Sequence, residues 1–335
     1  MQIAVIVVNY GTSDLTLEAV QSVLERTHKG HDVEVHLVDN ASPENDAERF
    51  TLAKKERDWG DRVTLWLEKK NHGFGRGNNL VLKALAARET PPEYVFLLNP
   101  DARLENEALS ILVETLEAHP EAGAVGAGIL EPPDNKMVTA CFRYPTALGE
   151  IDRVIGFGPL SRLIGNRRAL PADTPPGEVD WVAGACVLFR FHALQKVGFF
   201  DPGFFLYFEE VDLMLRLDKA GWRTRYQPKA LVVHAAGAST NVQSGALDRR
   251  RRPDFVYRSW RRYFTKSHGR VFALATAAGM TGGVAVGRLL AILRRRPSTR
   301  QPLFFFRDQW RYVLAPLMGL REDPGYEFRE SDVQL

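Results

Sequence analysis

Short apolar runs that end in polar residues alternate with stretches of helical periodicity over the first 130 residues of the chain. Four of the apolar runs have the length and β-branched content of strands: Ile3–Val8, Val33–Val38, Val63–Leu67 and Tyr94–Leu98. Three intervening stretches have the periodicity of helices: Leu15–Arg26, Asn79–Ala87 and Asn106–Ala118. Strands that alternate with helices predict a mostly parallel α/β sheet covered on both faces, with ligands bound beyond the carboxyl ends of the strands.

The pattern becomes less regular after Ala122–Leu130, an apolar segment that we also expect to be a strand. Pro132–Glu178 is rich in Pro and Gly, which predicts a long loop or a small insertion suited to acceptor contacts or to a mobile lid. Regular structure is predicted to resume in three segments: Val179–Phe189, a helix over Asp212–Ala220 and a short strand over Leu231–Val233.

Composition narrows the class of protein. A chain of 335 residues with 45% hydrophobic content can bury a large core, and its length suits one large domain with an appendage. Cys141 and Cys186 cannot build a disulfide framework or a zinc finger, so we expect a reducing, cytosolic setting. No basic leader precedes the apolar run that starts at Ile3, so export is not expected.

Positive charge is concentrated near the C-terminus. Between Arg249 and Arg311, 16 Lys and Arg residues stand against 2 Asp and Glu residues, although the net charge of the whole chain is only +3. This segment is therefore chemically different from the rest of the chain. It favours an anionic surface, either phospholipid headgroups or a nucleic acid.

The same C-terminal region is also apolar. Val271–Leu293 is interrupted only by Arg288 and is long enough to span a bilayer. Its glycines recur every fourth residue, a spacing that lets membrane helices approach closely: Gly279, Gly283 and Gly287. Leu303–Leu317 mixes aromatic residues with arginines, as an interfacial helix does. We predict attachment to a membrane surface, while a true span and a soluble helical tail remain open alternatives.

Polar residues follow the first two predicted strands. Asn9 and Tyr10 come after the first, and Asp39 ends the second. A carboxylate in this position can accept the N3–H group of uracil or thymine and so select a pyrimidine nucleotide. The alternative is that Asp39 caps the turn Asp-Asn-Ala-Ser-Pro.

A glycine-rich segment, Gly73–Asn79, precedes a predicted helix. It is not a dinucleotide fingerprint, because Asn78 stands where the sixth position requires glycine, and it lacks the Gly-Lys-Ser/Thr of a P-loop. We expect a loop that permits close backbone approach, with Arg76 available to a diphosphate and Asn78 or Asn79 at the helix start. A purely structural turn is the alternative.

Acidic residues follow two further segments. Asp101 lies just beyond the apolar strand Tyr94–Leu98 and could bind Mg or Mn, or it could cap a helix. Near residue 210, three acids lie beside the aromatic run Phe204–Phe208: Glu209, Glu210 and Asp212. Aromatic walls suit a sugar face, and desolvation together with clustered like charges raises the pKa of a carboxyl group. The alternative is a solvated helix start that favours acids.

In their order and spacing, these motifs resemble the family 2 glycosyltransferases, especially the bacterial rhamnosyltransferase-like branch, over roughly residues 1–240. The resemblance implies a GT-A glycosyltransferase fold over residues 1–245. Within it, residues 1–130 would bind the nucleotide sugar, and 131–245 would hold the acceptor and the catalytic base. Residues 246–335 would form a helical, basic, amphipathic region that associates with a membrane.

The resemblance also implies a role for each motif. Asn99-Pro100-Asp101 matches the metal-binding Asp-x-Asp position, with asparagine in place of the first acid, and His234 would join the metal or the diphosphate. Glu210 occupies the position of the general base, with Glu209 and Asp212 beside it. Donor contacts would come from a larger set: Asn9, Tyr10, Asp39, Asn71, Gly73, Arg76, Asn78, Asn99 and Asp101. Trp181 and Gly184 match the segment that lines the acceptor side, although core packing is equally compatible with them.

The implied reaction is inverting transfer of a sugar from a pyrimidine nucleoside diphosphate to a hydroxyl of a glycan or lipid-linked glycan. It would use Mg or Mn and take place at the cytoplasmic face of the inner membrane. The branch favours dTDP-L-rhamnose, with UDP-galactofuranose and UDP-hexoses left open. No nucleic-acid partner is expected, and a homo-oligomer is left open.

Two rival functions fit the sequence less well. A sugar nucleotidyltransferase needs a basic phosphate-gripping loop near its N-terminus, and residues 9–13 contain no Lys or Arg. A non-catalytic membrane or nucleic-acid adaptor would not explain the acids around residue 210 or Asp101.

Overall fold

The computed structural model describes residues 1–157, 168–235, 251–295 and 301–322. The chain forms two compact units. The sheet unit comprises Met1–Arg143, Ala169–Pro202 and Glu210–Ser239, and the helical unit comprises Tyr144–Arg168, Gly203–Glu209 and Thr240–Leu335. The second unit therefore collects three segments that are distant in sequence.

Twelve strands are described, all in the sheet unit: β1 Gln2–Asn9, β2 Asp32–Asp39, β3 Val63–Leu67, β4 Tyr94–Leu98, β5 Ala102–Leu104, β6 Ala122–Glu131, β7 Lys136–Val138, β8 Cys141–Phe142, β9 Gly177–Val179, β10 Trp181–Val182, β11 Cys186–Arg190 and β12 Arg223–His234. The main sheet has the order β3-β2-β1-β4-β11-β6-β12-β5. Strands β1 to β4 run parallel to their neighbours in that group, and β11 then enters antiparallel to β4.

Eleven α-helices are described: α1 Ser13–Leu24, α2 Asp46–Glu56, α3 Phe74–Ala86, α4 Ala108–Glu117, α5 Ala147–Ile155, α6 Phe191–Val197, α7 Glu209–Lys219, α8 Asp254–His268, α9 Arg270–Leu293, α10 Phe305–Gln309 and α11 Ala315–Leu317. A π-helical segment, Trp310–Leu314, joins α10 to α11. The predicted alternation of strands and helices over the first 130 residues is confirmed, and α2 is an additional helix that its polar composition concealed.

The sheet core explains why the polar motifs converge. All five residues of β4 are buried, so β4 is the central strand that its apolar sequence predicted. In the parallel register, Asn9 at the end of β1 pairs with Asp39 at the end of β2. Asn99 and Asp101 follow β4 directly. The carboxyl ends of the three strands therefore bring these side chains to one edge of the sheet.

Several predicted element boundaries were wrong. Pro132–Glu178 is not one long loop, because β7, β8, α5 and part of β9 lie within it. The last strand is not three residues long but runs from Arg223 to His234. A register shift between Gln227 and Leu231 interrupts the alternation of buried and exposed residues by which a strand is recognised in the sequence. Helix α7 begins at Glu209, three residues before the predicted start, so the acids lie in its first turn.

In the helical unit, α9 packs against α5 through its glycines. A side chain at Gly279 would come within 2.6 Å of Ile151, and one at Gly287 within 2.7 Å of the Ile155 carbonyl. The glycine spacing thus permits close packing inside the chain. The interpretation of these glycines as a surface for association between membrane helices was therefore wrong.

The boundary predicted at residue 245 follows chain order but not packing. The buried Glu150 of α5 accepts a hydrogen bond from the Trp260 indole of α8 at 3.1 Å. The helical unit therefore includes α5 as well as residues 203–209. By length and composition alone, α9 could cross a membrane, and 28% of its most apolar window is buried inside the protein.

Candidate active site

Asn9 organises the ends of β1 and β2. Its Nδ2 donates to Asp39 Oδ1 at 3.1 Å and to Asp46 Oδ2 at 2.9 Å. Its Oδ1 accepts a hydrogen bond from the Thr16 hydroxyl at 2.8 Å. Asp39 also accepts from the Ser42 hydroxyl at 2.5 Å. This buried network fixes the direction of the Asp39 carboxylate.

Burial determines the electrostatics of Asp39. Desolvation raises the pKa of its carboxyl group, and the hydrogen bonds from Ser42 and Asn9 only partly offset that effect. The carboxylate is consequently less well stabilised than one in water, and it gains from any additional donor that a ligand supplies. The N3–H group of a pyrimidine base is such a donor.

Asn40 and Asn71 connect β2 to the glycine-rich segment. Asn40 Nδ2 donates to Asn71 Oδ1 at 3.0 Å, and the Gly73 amide donates to the same oxygen at 2.8 Å. The His72 amide donates to Asn40 Oδ1 at 3.0 Å. Asn71, predicted to contact the donor, therefore holds the loop in place through its side chain. Asn40 was not singled out in the sequence, because its partners lie more than 30 residues away.

The glycine-rich segment is a helix start and not the loop that was predicted. Gly73 precedes α3 with φ of 76°, a conformation that favours glycine. A Cβ at Gly77 would lie 3.0 Å from Val8, so glycine lets α3 approach β1 closely. Arg76 lies in the first turn of α3 and is half-buried, at the end of the helix that attracts anions.

The two asparagines that follow are buried in α3. Asn78 Nδ2 donates to the Phe74 carbonyl at 3.0 Å. Asn79 exchanges two hydrogen bonds with the Phe200 backbone, at 2.8 and 3.1 Å. Asn79 thus has a structural role, because it holds the segment that follows α6.

Tyr10, another residue predicted to contact the donor, is half-buried directly after β1.

Asn99, Asp101 and His234 form a cluster between β4 and the end of β12. His234 Nε2 lies 3.1 Å from Asp101 Oδ1 and 3.3 Å from the side-chain nitrogen Nδ2 of Asn99. The Ala235 amide donates to the Asp101 carbonyl at 3.0 Å, which fixes the two segments together. The sequence placed Asp101 and His234 in one site although they are 133 residues apart, and the structure brings them into contact.

This pair fits a divalent cation. Two ligand atoms about 2.1 Å from one octahedral ion, at a right angle, lie about 3.0 Å apart, close to the 3.1 Å between Asp101 Oδ1 and His234 Nε2. Among the residues that the structure describes, no group of three His, Cys, Asp or Glu side chains is placed to hold a metal ion. Asp101 and His234 would hold the ion only together with water or substrate phosphate oxygens.

Glu210 lies beside the strand that borders this cluster. A Cβ at Gly184 would lie 3.5 Å from Glu210 Cβ and 3.8 Å from the Phe74 ring. The carbonyl of the next residue, Ala185, accepts a hydrogen bond from the backbone N–H of Asn99 at 2.8 Å. The segment 184–185 thus links Glu210 to the start of the Asn99-Pro100-Asp101 motif, and the absence of a side chain at Gly184 leaves open the space beside Glu210 Cβ and Cγ.

The three acids of α7 are not equivalent. Asp212 is 2% exposed, and its Oδ2 accepts from Arg216 at 2.8 Å. Arg216 in turn donates to the Val197 and Phe199 carbonyls at 2.5 Å each, so this pair anchors α7 to the end of α6. Glu209 is also buried, at 3% exposure, whereas Glu210 is half-buried. Glu210 is the most accessible of the three acids.

The aromatic run before α7 packs within the helical unit. Phe205 lies 5.5 Å from Phe255, and Phe208 lies 5.2 Å from Tyr263, between ring centroids. Phe204 and Phe205 are buried, so the idea that they form a wall for the sugar was wrong. Tyr207 and Phe208 each have φ of 69°, a strained conformation for bulky residues that is concentrated at functional sites.

Trp181 is buried next to the edge of the sheet unit. Its ring stacks on Phe142 with centroids 4.2 Å apart, and its indole N–H donates to the Arg143 carbonyl at 3.0 Å. These contacts account for Trp181 as a packing residue between β8 and β10. Its predicted contact with an acceptor stays a prediction, as do the ligand contacts predicted for the other site residues.

Comparisons with known proteins show the family and the fold. Residues 1–253 match the model of the glycosyltransferase-like family 2. An N-acetylglucosaminyl-diphospho-decaprenol L-rhamnosyltransferase of Mycobacterium tuberculosis (strain CDC 1551 / Oshkosh) is 31% identical over 181 residues, covering 51% of this chain and 58% of that protein. The rhamnosyltransferase WbbL of Escherichia coli K12 is 28% identical over 170 residues, covering 49% and 61%. The chain thus spans about three fifths of the length of these relatives.

Solved structures share the fold. A mannosyltransferase from Pyrobaculum calidifontis, in complex with GDP-mannose and Mn²⁺, has a TM-score of 0.53 at 18% identity, covering 87% of this chain and 75% of its own. GalNAc-T7, with UDP, GalNAc and Mn²⁺, has a TM-score of 0.59 at 12% identity, covering 94% and 58%. The predicted GT-A fold is confirmed. Because the family model matches far more than half of the sequence, the chain belongs to glycosyltransferase family 2.

Proposed function

We propose that the chain is an inverting glycosyltransferase that moves a sugar from a pyrimidine nucleoside diphosphate to a hydroxyl of a cell-surface glycan or lipid-linked glycan precursor. The names of the two relatives favour rhamnose as the sugar, and dTDP-L-rhamnose is the donor that we propose. The observation that carries the proposal is the joint position of Asp101, His234 and Glu210 around the segment 184–185.

The proposed reaction is a single displacement. Asp39 would accept the N3–H group of the base, and Arg76 at the start of α3 would face the diphosphate. Glu210 would take the proton from the acceptor hydroxyl while that oxygen attacks the anomeric carbon. The bond between this carbon and the diphosphate oxygen breaks as the new bond forms, so the configuration inverts. Asp101 and His234 would hold a divalent cation, which when bound would neutralise the charge of the leaving diphosphate.

We also propose that the protein attaches to the cytoplasmic face of the inner membrane through the helical unit. Two lines of evidence support it. The Arg-rich stretch between Arg249 and Arg311 carries a net charge of +14. Helix α9 also exposes large apolar residues, with Val271, Ile292 and Leu293 exposed by 82%, 73% and 71%.

A thermal-shift panel tests the proposed function. Pyrimidine nucleotides and their sugars should raise the melting temperature more than GDP does, and Mn²⁺ should enlarge the increase, because a ligand of the native state stabilises it by mass action. Asp101→Ala should remove the part of the increase in melting temperature that depends on Mn²⁺, and it should abolish sugar transfer. Asp134→Ala, at an exposed turn residue, is the matched control. Full activity of the wild type in excess EDTA would contradict the metal assignment.

A further inference from the structure

A cavity of about 190 Å³ lies inside the helical unit, and its lining is chemically unusual. Among the residues that the structure describes, its lining holds three arginines and a single carboxylate: Arg153, Arg168, Arg252 and Glu150. The rest of the lining is mainly apolar, with Phe208, Trp260, Met280 and Phe305 among its residues. A net positive charge beside apolar walls suits an anion attached to a hydrocarbon chain.

The carboxylate does not cancel this charge. Burial raises the pKa of Glu150, but the charges of Arg153 and Arg168 and the hydrogen bonds that Glu150 receives outweigh it, so the pKa is lowered overall. Arg153 lies 2.8 Å and Arg168 3.5 Å from the Glu150 oxygens. Glu150 therefore stays ionised and orients two guanidinium groups, while the lining keeps a net charge of two positive units.

Arg252 has no carboxylate within ion-pair distance among the described residues. Desolvation and the nearby Arg153 charge lower the pKa of its guanidinium group. Its backbone is fixed by the preceding residue, because Arg251 makes two bonds of 2.8 Å to the buried Asp308. A cation held beside other cations is stabilised by an anion.

Two of the residues that line the cavity also carry buried donors. The Tyr257 hydroxyl and the Gln309 amide nitrogen have no hydrogen-bond partner within the described part of the chain, although the residues are only 6% and 2% exposed. Burial raises the pKa of Tyr257 to about 12, so the hydroxyl keeps its proton at neutral pH and can donate. Unpaired buried donors are costly, and they are a mark of a binding site for an acceptor-rich group.

We infer that this cavity binds a phosphate or diphosphate group that carries a hydrocarbon chain. Arg252, Arg153 and the Tyr257 and Gln309 donors match the oxygens of such a group, and guanidinium groups suit phosphate geometry. The volume is below the roughly 300–1,000 Å³ of whole-ligand pockets, so it fits a headgroup and the first part of a chain. The site does not depend on the sugar that the sheet unit transfers.

Titration calorimetry on the full-length protein tests the site with three probes: pyrophosphate, farnesyl diphosphate and dihexanoyl phosphatidylglycerol below its micellar concentration. At least one of the two lipid probes should bind more tightly than pyrophosphate. Arg252→Gln should weaken that binding about 10-fold or more, because a hydrogen bond to a charged group is lost. Stronger binding of farnesyl diphosphate would identify a diphosphate lipid as the ligand, and stronger binding of phosphatidylglycerol a membrane headgroup.

Three control variants make the result decisive. Arg311→Gln removes the same charge from an exposed position of the helical unit outside the cavity, and it should change affinity less than 2-fold. Asp101→Asn should leave lipid binding intact, which separates this cavity from the donor site. Tyr257→Phe should weaken binding even if Arg252→Gln fails to fold. Absence of binding by both lipid probes, or equal losses in Arg252→Gln and Arg311→Gln, would overturn the inference.

Discussion

At the scale of single residues, polar side chains at strand ends meet at one edge of the sheet, and their sequence positions were sufficient to predict that convergence. Asn9, Asp39 and Asp101 each follow an apolar strand, a local pattern that needs no knowledge of the fold. Ser42 and Asn40 belong to the predicted turn but were given no role of their own, because their hydrogen-bond partners are not evident from the sequence. Asp212 was predicted to act beside Glu210, but it pairs with Arg216, four residues further along the same helix, a spacing at which an acid and a base face each other.

Asp39 should show a conflict between stability and binding. Its pKa is raised on folding, so the native state holds more protons than the unfolded state between the two pKa values, and stability falls as pH rises through that window. Asp39→Asn removes the buried charge and keeps Oδ1 as an acceptor. We expect a higher melting temperature at neutral pH, a difference that shrinks at acidic pH, and roughly 10-fold weaker binding of pyrimidine nucleotides.

Asp46→Asn is the control for this experiment, because Asp46 is the other buried carboxylate bonded to Asn9. It should leave the preference for pyrimidine over purine nucleotides unchanged. Unaltered nucleotide affinity in Asp39→Asn, measured by calorimetry, would remove Asp39 from the donor site.

At the scale of elements, the sequence located the strands β1 to β4 and β6 with the helices α1 and α4 but misplaced the glycine-rich segment. Glycine lowers helix propensity, so residues 73–79 were expected to form a loop. The close approach of Gly77 to Val8 overrides that preference, because only glycine lets α3 lie so near β1. The requirement arises from packing between elements, and a local pattern does not contain it.

Two glycines of α9 provide a matched test of helix packing. A side chain at Gly279 would come within 2.6 Å of Ile151 on α5, whereas nothing lies within 4 Å of one at Gly282. Gly279→Ala should lower the free energy of unfolding by roughly 1–3 kcal/mol through overpacking. Gly282→Ala should raise it by up to about 1 kcal/mol, since alanine is the better helix former. Thermal unfolding of both variants measures these changes in the free energy of unfolding. Equal changes in the two variants would contradict the packing of α9 on α5.

At the scale of the whole molecule, the family and the GT-A fold were predictable, but the composition of the helical unit was not. Charge and hydropathy marked residues 249–311 as distinct. The inclusion of α5 and residues 203–209 depends on contacts such as that between Glu150 and Trp260, which are 110 residues apart. A truncation after residue 245 would therefore uncover α5, and point substitutions are the better probe of the membrane proposal.

Attachment to anionic liposomes should depend on the exposed end of α9. The double variant Ile292→Ser with Leu293→Ser should weaken sedimentation with vesicles by roughly 10-fold, because two largely exposed apolar side chains lose their insertion energy. Leu52→Ser, at an exposed position of the sheet unit, should have no effect. High salt should weaken attachment of the wild type without abolishing it. Wild-type protein that stays in the supernatant at low salt would refute the membrane proposal.

The central claim is that Glu210 is the general base of sugar transfer, and the turnover of Glu210→Gln tests it most directly. The release of nucleoside diphosphate in the presence of acceptor should fall roughly 100-fold or more, while calorimetry shows unchanged donor affinity. Asp218→Asn neutralises a partly exposed acid two turns further along α7 and should keep the wild-type rate. A wild-type rate in Glu210→Gln would contradict the account and remove this residue from the mechanism.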